Sequence, residues 1–416
     1  MKLKKLLAVS TAVIMLCSCF AGCGKKADSG SKAAESEMLE TPDEQKPPET
    51  EEEWHQAMID KSLTSYGNVS KLQEKLKAAQ SGEEINISYL GGSITEGLTA
   101  GPEKCWAKLT YDHIAEKFGT GDNVKYNNAG LSGTPSKLGV IRLDRDVLAY
   151  EPDICFVEYA VNDGSEGDYQ SAYESIIRTL IEHDVAVVLV FARTENGHTC
   201  QEYMQRQGEY YQLPMVSYSD ALVYMFDNGK MTWQDFSDDQ SHPNEYGHTL
   251  VAEMVNNLFD KVMDQPAEEY IYPTEPLNEI RCYGSRLYEN DTLTPESMGS
   301  WNTDTDIARF TKGWDHPVQG TDNEPIKFKF TGKFVYLLYQ EAKQGLGKAH
   351  IVIYQDGELY DDMIFDPNAP SGWGNCQTQC IAMAAANTEY EIEISMAEGD
   401  EDKYFAVLGF GYTIDE

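Results

Sequence analysis

Between residues 60 and 265, short apolar runs alternate with longer amphipathic stretches, and few folds accommodate that rhythm. A continuous apolar run such as 185–191 suits a strand buried on both faces, as in a parallel sheet, better than a half-exposed antiparallel one. Residues 85–90, 124–127, 154–159 and 215–218 supply four more candidate strands. Helices are expected over 105–118, 169–183 and 246–263, the second with Ile176, Ile177, Leu180 and Ile181 on one face. Parallel neighbours need crossover connections, and the intervening helices supply them. The expected architecture over residues 57–268 is therefore α/β: βαβ units forming a parallel sheet covered by helices on both faces.

After residue 265 the texture changes. Pro266, Pro273 and Pro276 punctuate a connector, and short alternating segments follow at 326–330, 334–339, 350–354, 390–394 and 405–412. Gly332-Lys333 and Asp356-Gly357 are turn signals between them. Residues 275–416 are expected to form an all-β, jelly-roll-like sandwich.

The first residues have the pattern of an export signal. Lys2, Lys4 and Lys5 precede an apolar run over 6–20, too short to span a bilayer comfortably, which ends at Ala21-Gly22-Cys23. This resembles a bacterial lipoprotein signal over residues 1–23, which implies lipidation at Cys23. Residues 24–56, with Pro47-Pro48 and Glu51-Glu52-Glu53, are expected to be a disordered acidic tether. The chain would then stand outside the cytoplasm on the cell surface, touching the membrane through its lipid anchor only. With 69 Asp and Glu against 33 Lys and Arg, the net charge of −36 repels nucleic acid, which is excluded as the main partner. Of nine cysteines, three belong to the signal and the others are too scattered for a disulfide scaffold, with pairing of Cys376 and Cys380 left open. No His or Cys spacing suggests a metal site.

Polar residues and glycines gather at the expected strand ends. Gly91-Gly92-Ser93-Ile94-Thr95 follows the first strand, Asn127-Asn128-Ala129-Gly130 the second, and Ala160-Val161-Asn162-Asp163 the third. Asp239-Gln240-Ser241-His242-Pro243-Asn244 precedes the last helix. All four fall on the carboxyl rim of the sheet, where such folds build their sites. A serine hydroxyl becomes nucleophilic when a neighbouring base takes its proton, and histidine does this near neutral pH. A carboxylate three residues earlier can reach the imidazole Nδ1 and fix its tautomer. Ser93, His242 and Asp239 are thus the candidate catalytic residues, with the Ser93 N–H, the Gly130 N–H and the Asn162 amide as candidate oxyanion donors. His248, inside the final helix, is expected to be structural, and Asp163 to be a turn or capping residue. Trp106 and Tyr159 near the rim are expected to pack, as are Trp301, Trp314 and Trp373 in the β region.

These four blocks resemble those of the SGNH, or GDSL, hydrolases. Gly92 departs from the aspartate usual in the name motif, and Ala160 from a common glycine. The resemblance covers residues 80–265 and implies a three-layer α/β/α, doubly wound parallel sheet of the flavodoxin-like kind and a serine hydrolase acting on carboxylic esters, with no metal or organic cofactor. Joined to a β-sandwich, the chain looks like the carbohydrate esterases, which implies O-acetyl groups on carbohydrate as substrate. Two alternatives stand: an esterase, thioesterase or lysophospholipase for lipid-like acyl chains, and a non-catalytic glycan-binding lipoprotein.

Overall fold

The computed structural model describes residues 47–318 and 322–415. A first sheet contains β1 (Leu63–Ser65), β2 (Ile85–Gly91), β3 (Val124–Gly130), β4 (Ile154–Glu158), β5 (Ala186–Phe191) and β6 (Met215–Ser217). Their order is β1-β6-β5-β4-β2-β3. Every pair from β6 to β3 is parallel, and β4 and β5 are buried along their whole lengths, as unbroken apolar runs require. Only β1 is antiparallel, to β6. At three residues it is too short to carry a period, and it escapes sequence reading.

From β2 the chain moves outward to β3, then returns to β4 on the other side of β2. The strand order reverses at β2, so a crevice opens at its carboxyl end. Helices α1 (Glu51–Ser62), α2 (Ser70–Ser81), α3 (Ser93–Glu96), α4 (Trp106–Phe118), α5 (Ser136–Ile141), α6 (Leu143–Asp146), α7 (Gly167–Glu182), α8 (Gln201–Tyr210), α9 (Tyr218–Asp227), α10 (Trp233–Phe236) and α11 (Glu245–Lys261) cover the sheet. α4 packs with α11, and α5 with α7. The crossovers through α4 and α7 travel in opposite directions along the sheet, which puts these helices on opposite faces. Among the described residues, no helix is long and apolar enough to cross a membrane.

The expected acidic tether ends earlier than residue 56. Glu51, Glu52 and Glu53 form the first turn of α1, where carboxylates complement the helix dipole. Thr50 Oγ1 accepts from the Glu53 N–H at 3.2 Å, and Glu53 Oε2 accepts from the Thr50 N–H at 3.1 Å, a capping box. Met58 and Ile59 bury the other end of the helix in the α/β core. Charge that reads as disorder is here helix-start chemistry. The signal, Cys23 and the rest of the tether lie outside the described residues.

The β region forms one antiparallel sheet from β7 (Arg286–Tyr288), β8 (Trp314–His316), β9 (Ile326–Ala342), β10 (Ala349–Gln355), β11 (Glu358–Phe365), β12 (Trp373–Met396) and β13 (Phe405–Tyr412). Residues 326–330 and 334–339, read as separate strands, are halves of β9, and Gly332-Lys333 is no turn: Gly332 pairs with Thr388. Asp356-Gly357 does turn, with φ of 49° and 81°. β9 and β12 run side by side with register shifts near Cys380 and Met383, so the leaves of the sandwich belong to one continuous ladder. Across its core the Phe328 ring lies 4.8 Å from both Trp314 and Phe410. Tyr336, Leu338, Cys376, Ala406 and Leu408 join the hydrophobic core of the α/β region, so regions of different texture share one interior. Cys376 and Cys380 are both free thiols.

Candidate active site

β2 delivers its last residue, Gly91, beside Glu158 at the end of β4, and the chain turns through Gly92 into α3. Ser93 is the first residue of α3, so its N–H has no acceptor inside the helix. The side chain is 7% exposed. A side chain at 92 would collide with the Asn162 amide, which explains the glycine found where the resembling family has aspartate. The Asn162 Oδ1 is buried without a partner, and its Nδ2 makes no hydrogen bond, among the described residues.

The loop between α10 and α11 brings the base. Ser237 and Pro243 bridge its ends, and Ser237 Oγ donates to the Asp239 carbonyl at 2.8 Å. His242 Nε2 lies 2.9 Å from Ser93 Oγ, and His242 Nδ1 lies 2.7 Å from Asp239 Oδ2. Asp239 Oδ1 accepts from the N–H groups of His242 and Ser241 at 2.7 and 2.6 Å. Burial alone would raise the Asp239 pKa, but these N–H groups and the imidazole outweigh it and hold the carboxyl below its ordinary range. An ionised Asp239 keeps the His242 proton on Nδ1 and leaves Nε2 free to accept from Ser93. The three residues expected from sequence therefore meet in one hydrogen-bonded chain, arranged so that the imidazole can take the Ser93 proton.

Gly130 does not serve as expected. Its N–H donates to Asn128 Oδ1 at 2.8 Å, and it packs so closely on the backbone of Thr95 and Glu96 that a Cβ would not fit. Its glycine identity answers to helix packing. Three residues on, Gly133 takes φ +68°, and its N–H has no acceptor among the described residues. Sequence reading did not single it out, although Leu131-Ser132-Gly133 directly follows the block Asn127–Gly130 that it did.

Around the triad, most other candidates are structural. His248 accepts from the Trp106 N–H on Nδ1 at 3.1 Å, and burial depresses its pKa to about 4. It is a neutral brace between α11 and α4. Trp106 and Tyr159 are fully buried. Asp163, expected to be a turn or capping residue, ends the turn from Tyr159 and accepts from the N–H of Ser136, the first residue of α5, at 2.7 Å. It is buried, accepts also from the Tyr203 hydroxyl at 2.8 Å, and burial pushes its pKa up to about 7. Beneath α3, Glu158 accepts from the Thr95 hydroxyl at 3.0 Å, and its other oxygen has no partner among the described residues. Burial, with Asp163 nearby, lifts its pKa to about 7. Arg142, also buried, donates to Gly91 O at 3.3 Å and Asp146 Oδ2 at 2.9 Å, which fixes the end of the nucleophile strand.

The β region touches this rim. Trp373 is 60% exposed, in contrast to buried Trp301 and Trp314, and a Cβ on Gly133 would lie 2.6 Å from its Nε1. An exposed indole thus stands against the loop that carries the free amide. Among the described residues no cluster of His, Cys, Asp and Glu could hold a metal ion.

Residues 89–250 match the model of the GDSL-like lipase/acylhydrolase family. An arylesterase of Vibrio mimicus is 31% identical over 90 residues, which cover 22% of this chain and 42% of that one, so the match spans less than half of its relative. The crystal structure of a two-domain esterase active on acetylated mannans is 27% identical, with a TM-score of 0.76 over 86% of this chain and 99% of that one. A structure of such an esterase co-crystallised with mannopentaose is 26% identical, with a TM-score of 0.75 over 86% and 98%. The two-domain esterases share both regions of the fold, the parallel α/β unit and the antiparallel β unit.

Proposed function

We propose that this chain, which carries a GDSL-like lipase/acylhydrolase domain over residues 89–250, is a serine esterase that removes O-acetyl groups from carbohydrate. The observation that carries the reading is the relay from Ser93 Oγ through His242 to Asp239, with separations of 2.9 and 2.7 Å. The carbohydrate part rests on the two-domain esterases, whose likeness extends over both regions, and on Trp373, whose exposed indole offers a flat apolar face beside the rim.

His242 Nε2 takes the Ser93 proton as Oγ attacks the acetyl carbonyl carbon. Negative charge gathers on the former carbonyl oxygen, where the Ser93 N–H, the Asn162 Nδ2 and the Gly133 N–H meet it. Collapse of the tetrahedral species breaks the ester bond, and His242 passes its proton to the departing sugar oxygen. Water then attacks the acetyl-serine, giving its proton to His242, and acetate leaves as Ser93 recovers its hydrogen. In the same reading the chain works outside the cytoplasm, tethered by a lipid on Cys23.

The test is acetate release by residues 47–416 from acetylated mannan, acetylated xylan and O-acetylated peptidoglycan, beside aryl esters of increasing chain length. Ser93→Ala is the control. Acetate release that disappears in Ser93→Ala, with a preference for acetyl over long acyl groups, supports the proposal. A preference for long chains would move the substrate to lipid-like esters. Glycan binding without Ser93-dependent turnover would sink the enzymatic reading.

A further inference from the structure

Residues 131–134 lie between β3 and α5, and several of their polar groups are tied down on either side of Gly133. The Leu131 N–H donates to Gly91 O at 3.0 Å, and the Ser132 N–H to Glu96 Oε2 at 2.8 Å. The Ser132 hydroxyl binds the same carboxylate oxygen, and the Thr134 hydroxyl donates to Leu131 O at 2.7 Å. The α/β region thus holds both sides of Gly133. The Gly133 carbonyl itself is held from elsewhere. It accepts from Gln377 Nε2 at 2.9 Å and from Asn375 Nδ2 at 3.3 Å, two side chains of β12 separated from it by 244 and 242 positions. A carbonyl oxygen has two lone pairs, and these amides occupy both.

The residue so clamped is the one whose direction is hardest to hold. Glycine visits positive and negative φ with similar ease, so an unrestrained Gly133 would swing its peptide planes. The left-handed value observed, +68°, brings the loop so close to β12 that a Cβ would meet the Trp373 indole. A second tie from the β region acts one strand earlier. Arg309 Nη2 donates to Asn128 O at 2.7 Å, on the residue whose side chain occupies the Gly130 N–H.

We propose that Asn375 and Gln377 are positioning residues for the oxyanion amide. By holding the Gly133 carbonyl they fix one of the two peptide planes that meet at Gly133. With Ser132 tied to Glu96 on the other side, this restrains the Gly133 φ and so the direction of its N–H. The β region thus completes the catalytic site rather than merely flanking it. This rests on the esterase reading above, with Gly133 as a donor. Neither side chain touches the reacting atoms. Their contribution is to hold a preorganised donor, and displacing such a group by about 1 Å can cost on the order of 10²-fold in rate.

The experiment measures kcat and KM on a small aryl acetate, whose binding does not extend to the β region, for Asn375→Ala/Gln377→Ala and for Gln377→Glu. The latter keeps the size of the side chain and loses the N–H. Active sites are counted by titration with a phosphonate that labels Ser93. Gln379→Ala, an exposed amide on the same strand without a bond to the loop, is the control. The expected result is kcat per titrated site lower by roughly 10- to 100-fold in the double variant and lower in Gln377→Glu. KM stays within about twofold, and Gln379→Ala matches wild type. Unchanged kcat per site in both variants would overturn the proposal, as would a loss of activity matched by an equal loss of titratable sites. If the double variant does not fold, Gln377→Glu and Asn375→Ala carry the same test singly. A wild-type chain without Ser93-dependent turnover would refute the esterase reading instead, which keeps the two failures apart.

Discussion

The α/β region and the β region contribute to one rim by opposite means. In the first, Ser93 follows β2 and Asn162 follows β4, each at the end of a parallel strand, while the Asp239–His242 pair comes from the loop between α10 and α11. Strand ends converge because the sheet is parallel, so residues far apart in sequence meet without special arrangement. In the second, Asn375, Gln377 and Trp373 come from one side of a single long strand, and Arg309 from a loop with φ +64°. These residues follow no motif. They matter because β12 lies against residues 131–134. A parallel sheet concentrates chemistry by topology, whereas an antiparallel one acquires it by docking.

The sharpest contrast is predicted for the triad. Asp239→Asn keeps the side-chain shape and favours the wrong imidazole tautomer, so kcat on an aryl acetate should fall by about 10⁴-fold with little change in Tm. A fall under tenfold would mean that His242 is oriented by something other than Asp239. Next in size is a break at the joint between the regions. Arg142 is buried on Asp146, which also binds Arg145, and Arg145 reaches Glu289 of the β region at 2.7 Å. Arg142→Met leaves Asp146 short of one partner and should cost about 3 kcal/mol in chemical denaturation. Because the regions share a core, the loss should lower one common transition. Two separate transitions would show that the regions are energetically independent.

A smaller effect concerns pH. Glu158 stands at about 7 in the folded chain against an ordinary 4.5, so the native state binds its proton more tightly than the unfolded state. Its contribution to stability is therefore greatest at low pH and is lost as pH rises from about 4.5 through about 7. His248 has the opposite sign: its folded value near 4 lies below 6.5, so stability is lost as pH falls from about 6.5 toward 4. Glu158→Gln should flatten the decline between pH 5 and 8, recovering roughly 3 °C of Tm at pH 8 relative to the wild type's own change. An unaltered Tm profile would show that Glu158 does not titrate in this window.

The smallest prediction separates the β region's two tasks. Trp373→Ala should lower kcat/KM on an acetylated polysaccharide by about tenfold through KM, a typical loss for a truncated aromatic contact. An equal loss on a small aryl acetate would place Trp373 with the loop's positioning, and no loss on either would remove it from substrate binding.

Much of this was legible in the residues themselves. The apolar run at 185–191 declares a parallel strand, because burial on both faces leaves no polar alternation. The Asp239–His242 pair is legible because three residues of loop suffice to close it. Two misreadings have a common physical cause. Glu51-Glu52-Glu53 is acidic in composition, yet a neighbouring threonine converts it into a helix start. Gly332-Lys333 has turn chemistry, yet its backbone is taken up by pairing with β12. In both, a local propensity worth a fraction of a kcal/mol is overruled by hydrogen bonds and burial.

By itself, the sequence determined the alternation of strand and helix and the rim on which Ser93, Asn162 and the Asp239–His242 pair gather. The first depends on periodicity, and the second on strand ends and on one pair three residues apart. Only the tertiary structure decided that Gly130 packs while Gly133 has a free N–H, and that Trp373 is exposed while Trp301 and Trp314 are core. It also decided that side chains 240 positions away hold the Gly133 loop. The reason is that a backbone N–H carries no label in the sequence. Whether it is occupied or free depends on which acceptor the folded chain brings within about 3 Å, and that is settled by packing.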